Sequence, residues 1–364
     1  MNIIFFSNSS WSIYNFRKNF IRDFIKEGYD VYIVSNKDYT TKYLKKMGCK
    51  FIELKFNTTQ INFFKEIKNF FGFLKIVFNI KPKVVYSFTL KPILYSTISS
   101  RISRFKVVNT FDGLGRLYDD ENFLSFFYLM ILKIFNKNIL KIILVNKKDY
   151  KLFKKKKVAP IKKLCLIKSG TGIDTKHYDF RKINNFNVFL FLGRFLPSKG
   201  IIEFCEAAKK FKKLNKKIKF FAAGNYSSED KSILPKKKLF KYKKFVNFYF
   251  NLKDVRDLIS NATCIILPSY YNEGLNRSLM ESLSMGRIIM TTNIPGCYEL
   301  LNNQRNGFKI KRNDVRSIGN KIDKVLNLEK KKIYSMSKIC RKFILDNYSD
   351  KKIINKYIYF TKLR

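Results

Sequence analysis

Short apolar runs alternate along the whole chain with longer segments whose apolar residues recur every three or four positions. The short runs predict buried strands and the longer segments predict amphipathic helices. This alternation favours parallel sheets flanked by helices, an α/β architecture. The strands predicted in the first half are Ile3–Phe6, Val31–Val34, Lys50–Leu54, Val84–Ser87, Lys106–Asn109 and Ile142–Val145. Those predicted in the second half are Asn187–Leu192, Lys219–Ala222, Val246–Tyr249, Cys264–Leu267, Ile288–Thr291 and Gly307–Ile310.

Each half therefore has enough strands for its own Rossmann-like sheet. A lysine run, Pro160 and a turn-rich stretch place the boundary within Lys154–Ile183. We predict a first domain at 1–165 and a second at 166–345. The last segment, 346–364, is expected to pack back toward the first domain.

The segment around Leu267 carries the most distinctive arrangement of charges. The strand Cys264–Leu267 ends at Pro268, and the following apolar residues have helical spacing up to Gly286. Glu281 would lie roughly 12 Å along the helix axis from Glu273, at about 1.5 Å per residue. A nucleotide diphosphate-sugar could meet one carboxylate at each end, with its diphosphate near the amide groups of the helix N-terminus. Spacing alone leaves open the alternative of two exposed glutamates on an ordinary amphipathic helix.

A second group of polar residues follows the strand that ends at Leu192. Gly193 and Arg194 come directly after it, and Lys199 precedes the next predicted helix. In open α/β sheets, ligands bind at the carboxyl ends of the strands. The Arg194 guanidinium can grip a phosphate with two donors, and Lys199 supplies a compact charge. Taken alone, one arginine and one lysine among the chain's 74 indicate no site, so this group has to be judged together with the other motifs.

These motifs, taken in order with Pro295, Gly296 and Glu299, resemble the retaining glycosyltransferases of family 4, which adopt the two-domain GT-B fold. The remaining matching residues are Gly200, Leu267, Pro268, Ser269, Met285, Gly286, Arg287, Asn306 and Gly307. The segments Phe88–Tyr95 and Asn109–Gly115 are similar to those of the subgroup that builds bacterial surface polysaccharides. That subgroup includes N-acetylgalactosaminyl transferases that act on undecaprenyl-diphosphate-linked sugars.

The resemblance implies two Rossmann-like domains facing across a cleft and transfer from a UDP-sugar to a lipid-linked glycan, with retention of configuration. It implies catalytic roles for Arg194 and Lys199 at the donor diphosphate and for Glu273 at the transferred sugar. Glu281 would bind the ribose hydroxyls. The other implied donor-binding residues are Gly193, Gly274, Leu275 and Asn276. The acceptor-binding candidates in the first domain are Arg17, Lys91, Asp112 and Arg116.

The net charge of +47, from 74 lysines and arginines, leaves several partners open. Basic surfaces attract nucleic acid, anionic lipid and phosphorylated substrates alike. A compositional bias toward Lys, Asn and Ile weakens any functional interpretation of the charge. Two alternatives stand beside the transferase: a sugar-nucleotide epimerase of the same fold, and a nucleic-acid-binding protein. The basic runs are scattered and form no recognisable nucleic-acid module, so we expect no nucleic-acid partner.

Composition also bears on metals and on location. One histidine, His177, and six dispersed cysteines give no ligand cluster, and no D-x-D motif is evident. We therefore expect no cofactor and a metal-independent reaction. No secretory signal is recognised, and the charge-free run Phe123–Leu132 is short of the ~20 residues that span a bilayer. The aromatic helices within Ile61–Ile80 and Phe123–Val145 can instead lie on an anionic membrane, which predicts a cytoplasmic protein peripheral to the inner face.

Overall fold

The computed structural model describes residues 1–56, 63–114, 123–168, 170–214, 217–230, 232–271, 275–303 and 305–362. The chain divides into two compact units, Met1–Gly172 together with Asp350–Arg364, and Ile173–Ser349. The predicted boundary at 165/166 lies seven residues earlier in the chain than this division. Both units contain a parallel sheet with helices on its faces, and the predicted α/β class with two Rossmann-like domains is confirmed.

In the described part of the first unit, seven parallel strands form a sheet in the order β3-β2-β1-β4-β5-β6-β7. The strands are β1 (Asn2–Phe6), β2 (Asp30–Ser35), β3 (Lys50–Glu53), β4 (Val84–Phe88), β5 (Lys106–Phe111), β6 (Ile139–Leu144) and β7 (Leu164–Leu166). Its first helices are α1 (Ser10–Lys26), α2 (Thr41–Lys46), α3 (Phe63–Ile80), α4 (Leu90–Ser103), α5 (Phe123–Ile134) and α6 (Lys147–Lys155). The sequence predicted neither β7 nor the start of β6 at Ile139.

The described part of the second unit has six parallel strands in the order β10-β9-β8-β11-β12-β13. They are β8 (Val188–Leu192), β9 (Lys219–Gly224), β10 (Asn247–Phe250), β11 (Cys264–Leu267), β12 (Ile288–Thr292) and β13 (Gly307–Ile310). The helices are α7 (Ile201–Leu214), α8 (Lys236–Phe240), α9 (Arg256–Asn261), α10 (Arg277–Ser284), α11 (Val315–Leu326) and α12 (Lys330–Asn347). The central strands β8, β11 and β12 are buried along their whole length, which explains their continuous apolar sequences.

A last helix, α13 (Asp350–Lys362), belongs to the first unit although it follows the second in sequence. Its Tyr357 is buried, with its ring 4.9 Å from the ring of Phe20 in α1. The Tyr86 hydroxyl donates a 2.8 Å hydrogen bond to the Tyr357 carbonyl. The chain end is therefore fixed in the core of the first unit by an aromatic side chain with satisfied polar groups.

The strand orders place a topological switch point in each sheet. In the first sheet, the connections that follow the neighbouring strands β1 and β4 run in opposite directions. The same is true of β8 and β11 in the second sheet. A crevice opens outside the carboxyl ends of such a strand pair, and ligands of open α/β sheets bind there. The sites described below are built from the residues that follow these strands.

Candidate functional site

The turn after β8 is fixed against the end of β11 by a close backbone approach. Gly200 has a φ of +77°, and a Cβ there would lie 2.5 Å from the Pro268 carbonyl oxygen. Glycine is required on both counts. The Ser198 carbonyl accepts hydrogen bonds from the Tyr270 amide, at 2.9 Å, and from the Ser269 hydroxyl, at 3.2 Å. The segment that carries Arg194 and Lys199 is thus held rigidly at the switch point.

Arg194 presents its charge to solvent. Its side chain is 55% exposed, and its Nη1 lies 3.9 Å from Asp230 Oδ2. Hydrogen bonds from Ser232 lower the pKa of Asp230, and the Arg194 charge adds to this effect. An ion pair of this length and exposure is weak, so Arg194 can turn toward an anionic ligand at low cost. Lys199 is half-buried at the end of the same turn, and Gly193 donates its amide to the Ala223 carbonyl at 3.0 Å.

Asn276 caps α10, the helix that follows β11. Its side-chain oxygen accepts a hydrogen bond from the Leu279 amide at 3.0 Å, which explains asparagine at this position. Its own amide donates to the Gly296 carbonyl at 2.8 Å. Of the amides predicted to face the donor phosphates, that of Asn276 is therefore already engaged. Leu275 is half-buried against the core, while Glu273 and Gly274 lie outside the described residues.

Glu281 is buried on α10 and bonded to two side chains. It accepts a hydrogen bond from Arg277 Nε at 2.9 Å and another from the Tyr178 hydroxyl. Burial raises the pKa of Glu281, and the neighbouring Arg277 charge and the Tyr178 hydrogen bond oppose that rise. The carboxylate is thus oriented before any ligand binds, as a hydrogen-bond acceptor for hydroxyl groups should be.

Tyr178 and its support were not found from the sequence. Arg341 on α12 donates to the Tyr178 carbonyl at 2.8 Å and to the Ser284 carbonyl at 3.0 Å. It therefore ties the segment that precedes β8 to the end of α10. These residues are far from Glu281 along the chain and carry no motif, so no sequence signal marked them.

Arg287, one of the residues that match family 4, has a structural role. Its side chain is fully buried, and its guanidinium donates to the carbonyls of Ser260, Ala262, Met285 and Arg181. Burial lowers its pKa to about 10. Backbone carbonyl dipoles, rather than a carboxylate, compensate its charge. Arg287 therefore links the segments that carry these carbonyls and does not reach a ligand.

In the first unit, Arg17 and Asp112 form an ion pair after β5. Arg17 Nη2 lies 2.5 Å from Asp112 Oδ2, and the guanidinium carbon lies 3.7 Å from the centre of the Phe88 ring. Arg17 is 1% exposed, whereas the Asp112 side chain is 44% exposed. Of these two acceptor candidates, only the carboxylate is open to solvent. Arg116, a third candidate, lies outside the described residues.

Lys91, at the start of α4, is paired with a carboxylate. Its Nζ lies 2.6 Å from Glu66 Oε1, and the Tyr95 hydroxyl donates to the same carboxylate. The pair joins α4 to α3. A diphosphate would therefore have to compete with Glu66 for this lysine, a partner that the sequence did not predict.

The described residues contain no group of three or more His, Cys, Asp or Glu side chains placed to hold a metal ion. No helix among them has the length and apolar character needed to cross a membrane. The thiols of Cys205 and Cys264 are buried.

Comparison with known families gives two matches that follow one another along the chain. Residues 2–146 match the family model described as glycosyl transferase 4-like, and residues 173–343 match glycosyl transferases group 1. The first lies within the unit that carries Arg17 and Asp112, and the second within the unit that carries Arg194 and Glu281.

Three curated relatives are similar to this chain over most of their length. A Campylobacter jejuni protein named N,N'-diacetylbacillosaminyl-diphospho-undecaprenol alpha-1,3-N-acetylgalactosaminyltransferase is 27% identical, over 91% of this chain and 90% of the relative. An Escherichia coli UDP-Gal:alpha-D-GlcNAc-diphosphoundecaprenol alpha-1,3-galactosyltransferase is 24% identical, over 81% and 79%. A Staphylococcus aureus capsular polysaccharide biosynthesis glycosyltransferase, CapM, is 24% identical, over 84% and 82%. None of the three is named as an epimerase.

Solved structures share the fold at low identity. A glycosyltransferase from Rickettsia africae superposes with a TM-score of 0.80 and 19% identity, covering 99% of this chain and 97% of the other. HepE from Anabaena, solved in complex with UDP and glucose, gives a TM-score of 0.79 and 14% identity, with 99% of each chain covered.

Proposed function

Since the chain belongs to the glycosyltransferases whose 4-like and group 1 domains it carries in order, we propose that it moves a hexose or N-acetylhexosamine from a UDP-sugar to a lipid-linked glycan. The acceptor would be an undecaprenyl-diphosphate-linked saccharide used in bacterial surface polysaccharide synthesis, as the names of two relatives suggest. The observation that carries the proposal is the placement of Arg194 and of the Glu281 helix after the two strands at the switch point of the second sheet.

The donor would bind to the second unit. Glu281 would accept hydrogen bonds from the ribose hydroxyls, and Arg194 and Lys199 would neutralise the diphosphate. Gly193 and Leu275 lie on the two segments that follow β8 and β11, where their backbone can line the donor. Glu273 and Gly274 retain their predicted roles at the transferred sugar and at the phosphates.

In the proposed reaction, the bond between the anomeric carbon and the β-phosphate oxygen breaks, and its electron pair goes to the phosphate. The acceptor hydroxyl oxygen bonds to the same face of the anomeric carbon, which retains the configuration. The hydroxyl proton passes to the leaving diphosphate, so no protein base is needed. Arg194 and Lys199 stabilise the charge that grows on the phosphate, which is the largest contribution that the protein can make.

We further propose that the reaction needs no metal ion. The two cations beside the predicted diphosphate position supply the positive charge that a divalent ion would otherwise provide. The test is transfer in the presence of EDTA, followed by readdition of magnesium or manganese. Undiminished activity in EDTA is expected, and activity restored by a metal after its loss would contradict the proposal.

We also propose that the protein docks on the cytoplasmic face of an anionic membrane through the outer face of α3. Phe64, Phe71 and Phe78 are exposed on this face, at intervals of seven residues, and Ile67 lies beside them. Lys68 and Lys75 lie on this same face of the helix and are exposed. Aromatic side chains flanked by lysines suit the interface of a bilayer with anionic head groups.

The outer face of α5 has a similar character. Phe126, Phe127 and Ile134 are exposed there, next to Lys133. Both α3 and α5 pack against α4, so their outer faces belong to one side of the first unit. A lipid-linked acceptor would then enter from the surface on which the enzyme rests.

A donor screen tests the proposed function. The purified protein is incubated with UDP-glucose, UDP-galactose, UDP-N-acetylglucosamine and UDP-N-acetylgalactosamine, with a synthetic farnesyl-diphosphate-linked N-acetylhexosamine as acceptor. Transfer with one donor, and a product whose NMR coupling shows the α-anomer, is the expected result. Interconversion of the UDP-sugars without transfer would instead indicate an epimerase.

A further inference from the structure

Resting on the proposed function, we infer that Asp112 binds hydroxyl groups of the acceptor sugar and that buried Arg17 is the positioning residue that aims it. The family resemblance made both residues acceptor-binding candidates without dividing their roles. The structure separates their roles, because Arg17 is 1% exposed and Asp112 is 44% exposed. A side chain as buried as Arg17 cannot reach a lipid diphosphate.

Arg17 is held from two sides. Its guanidinium stacks on Phe88, the last residue of β4, and its Nη2 donates to Asp112 Oδ2, directly after β5. β4 and β5 are neighbours in the sheet, and α1, which carries Arg17, follows β1. The pair therefore stands at the carboxyl edge beside the switch point of the first sheet, where a ligand is expected.

The pair is poorly explained as a device for stability. Arg17 Nε is buried and has no hydrogen-bond partner within the described residues. A buried cation with an unsatisfied donor is costly, and its replacement by an apolar side chain is often neutral or stabilising. What the arrangement does provide is orientation. Arg17 fixes one carboxylate oxygen of Asp112 while the side chain stays 44% exposed, so the carboxylate is held in one orientation with part of it open to solvent.

A carboxylate oriented in this way suits sugar hydroxyls. Carboxylates accept hydrogen bonds and donate none at neutral pH, and hydroxyl groups are the donors that sugars offer. A phosphate group is a poor ligand for it, since like charges repel. The site therefore selects the sugar part of the acceptor rather than its diphosphate.

Kinetics with the farnesyl-diphosphate acceptor and the donor found in the screen test the inference. Asp112→Asn should raise the acceptor KM about tenfold, as expected for a lost hydrogen bond to a charged group. The donor KM and the affinity for UDP should be unchanged. Asp30→Asn is the matched control, because Asp30 is 47% exposed and paired with Lys50 but lies at the amino end of β2.

A double-mutant cycle separates positioning from a structural role. Arg17→Met should raise the acceptor KM as Asp112→Asn does, and the double variant should be no worse than either. Arg17→Lys, which keeps the charge, should recover part of the loss. Full additivity of the two single changes would overturn the positioning role, because Arg17 would then act independently of Asp112.

Further variants and outcomes distinguish a failure of this inference from a folding defect and from a failure of the proposed function. If Arg17→Met does not fold, as judged by thermal melting, Asp112→Glu keeps the pair but displaces the outer oxygen, and it should still raise the acceptor KM. A normal acceptor KM in Asp112→Asn, or a raised donor KM alone, would overturn the inference while leaving the transferase intact. Failure of the unmodified enzyme with every donor would overturn the proposed function, and the inference with it.

Discussion

The Arg277 guanidinium lies 2.9 Å from a carboxylate oxygen of Glu281, one turn further along α10, and both side chains are largely buried. Burial raises the pKa of Glu281, and Arg277 opposes that rise. The protonation of the proposed ribose anchor is thus controlled by its neighbour on the same helix.

We predict that UDP affinity falls on acidification at a higher pH than an ordinary glutamate would allow, because protonation removes an acceptor for the ribose hydroxyls. In Arg277→Met the pKa should rise further, and the fall should begin at a higher pH still. Calorimetric titrations from about pH 4, the ordinary range of a glutamate, to about pH 8 measure this. The ionisation of UDP itself contributes equally to the pH profile of every variant. Glu281→Gln should lack the part of the pH dependence that comes from Glu281. A pH profile identical to that of the wild type would contradict the assignment.

Arg194→Ala should lower kcat by on the order of 100-fold, by analogy with the loss of one preorganised donor from a transition-state site. The measurement is steady-state transfer at saturating donor. Arg305→Ala is the control, because Arg305 is exposed and precedes β13, at the opposite edge of the same sheet. A near-normal kcat in Arg194→Ala would remove it from the catalytic residues.

Arg287→Met should destabilise the second unit by on the order of 3 kcal/mol, because several buried carbonyl groups lose their donor. Urea unfolding measures the change. The folded variant should bind UDP with unchanged affinity, since Arg287 is fully buried and bonded to backbone carbonyls. Loss of UDP binding without loss of stability would show instead that Arg287 contacts the ligand.

Asp149, in the first turn of α6, is fully buried, and neither carboxylate oxygen makes a hydrogen bond of normal geometry in the described structure. Burial raises its pKa from 3.8 to about 7, and the nearby Leu114 amide opposes this only in part. The folded state therefore holds the proton more tightly than the unfolded state. Stability should decline as the pH rises from about 4 to about 7, and the loss should be complete above that range.

Asp149→Asn removes this ionisation, so the variant should be more stable than the wild type at pH 8, with the difference shrinking toward pH 4. Three pK units correspond to about 4 kcal/mol, which is an upper limit for the gain. Chemical unfolding at both pH values provides the comparison. An equal difference at the two pH values would mean that Asp149 does not titrate in this range.

Phe64→Ser combined with Phe71→Ser should weaken binding to anionic vesicles of phosphatidylglycerol and phosphatidylethanolamine by about tenfold or more, given roughly 1.5–3 kcal/mol for burying one such ring. Vesicle sedimentation at low and high salt measures both the apolar and the electrostatic contributions. Tyr359→Ser on α13 is the control, because Tyr359 is 61% exposed and Phe71 is 60% exposed. An equal loss in the control would argue against a specific face.

The family and the two-sheet fold were predictable because their signals are local. Continuous apolar runs such as Cys264–Leu267 correspond to strands buried on both faces, and glycines such as Gly200 mark turns that no other residue can form. The short strand β7 was missed because it has only three residues and lies among lysines. The segments predicted to carry Arg194 and Glu281 do follow adjacent strands, since the carboxyl ends of parallel strands meet at one edge.

By itself, the sequence determined which residue types follow which strands, and so the chemistry available at each edge of the sheets. Only the tertiary structure decided which of those groups are paired. Arg17 is buried against Phe88 and bonded to Asp112, Lys91 is bonded to Glu66, and Glu281 is oriented by Tyr178. These partners lie on different elements, and an exposed charge has the same sequence signature as a buried, paired one. The physical reason is that burial and partnership depend on packing between distant segments, which local patterns do not encode.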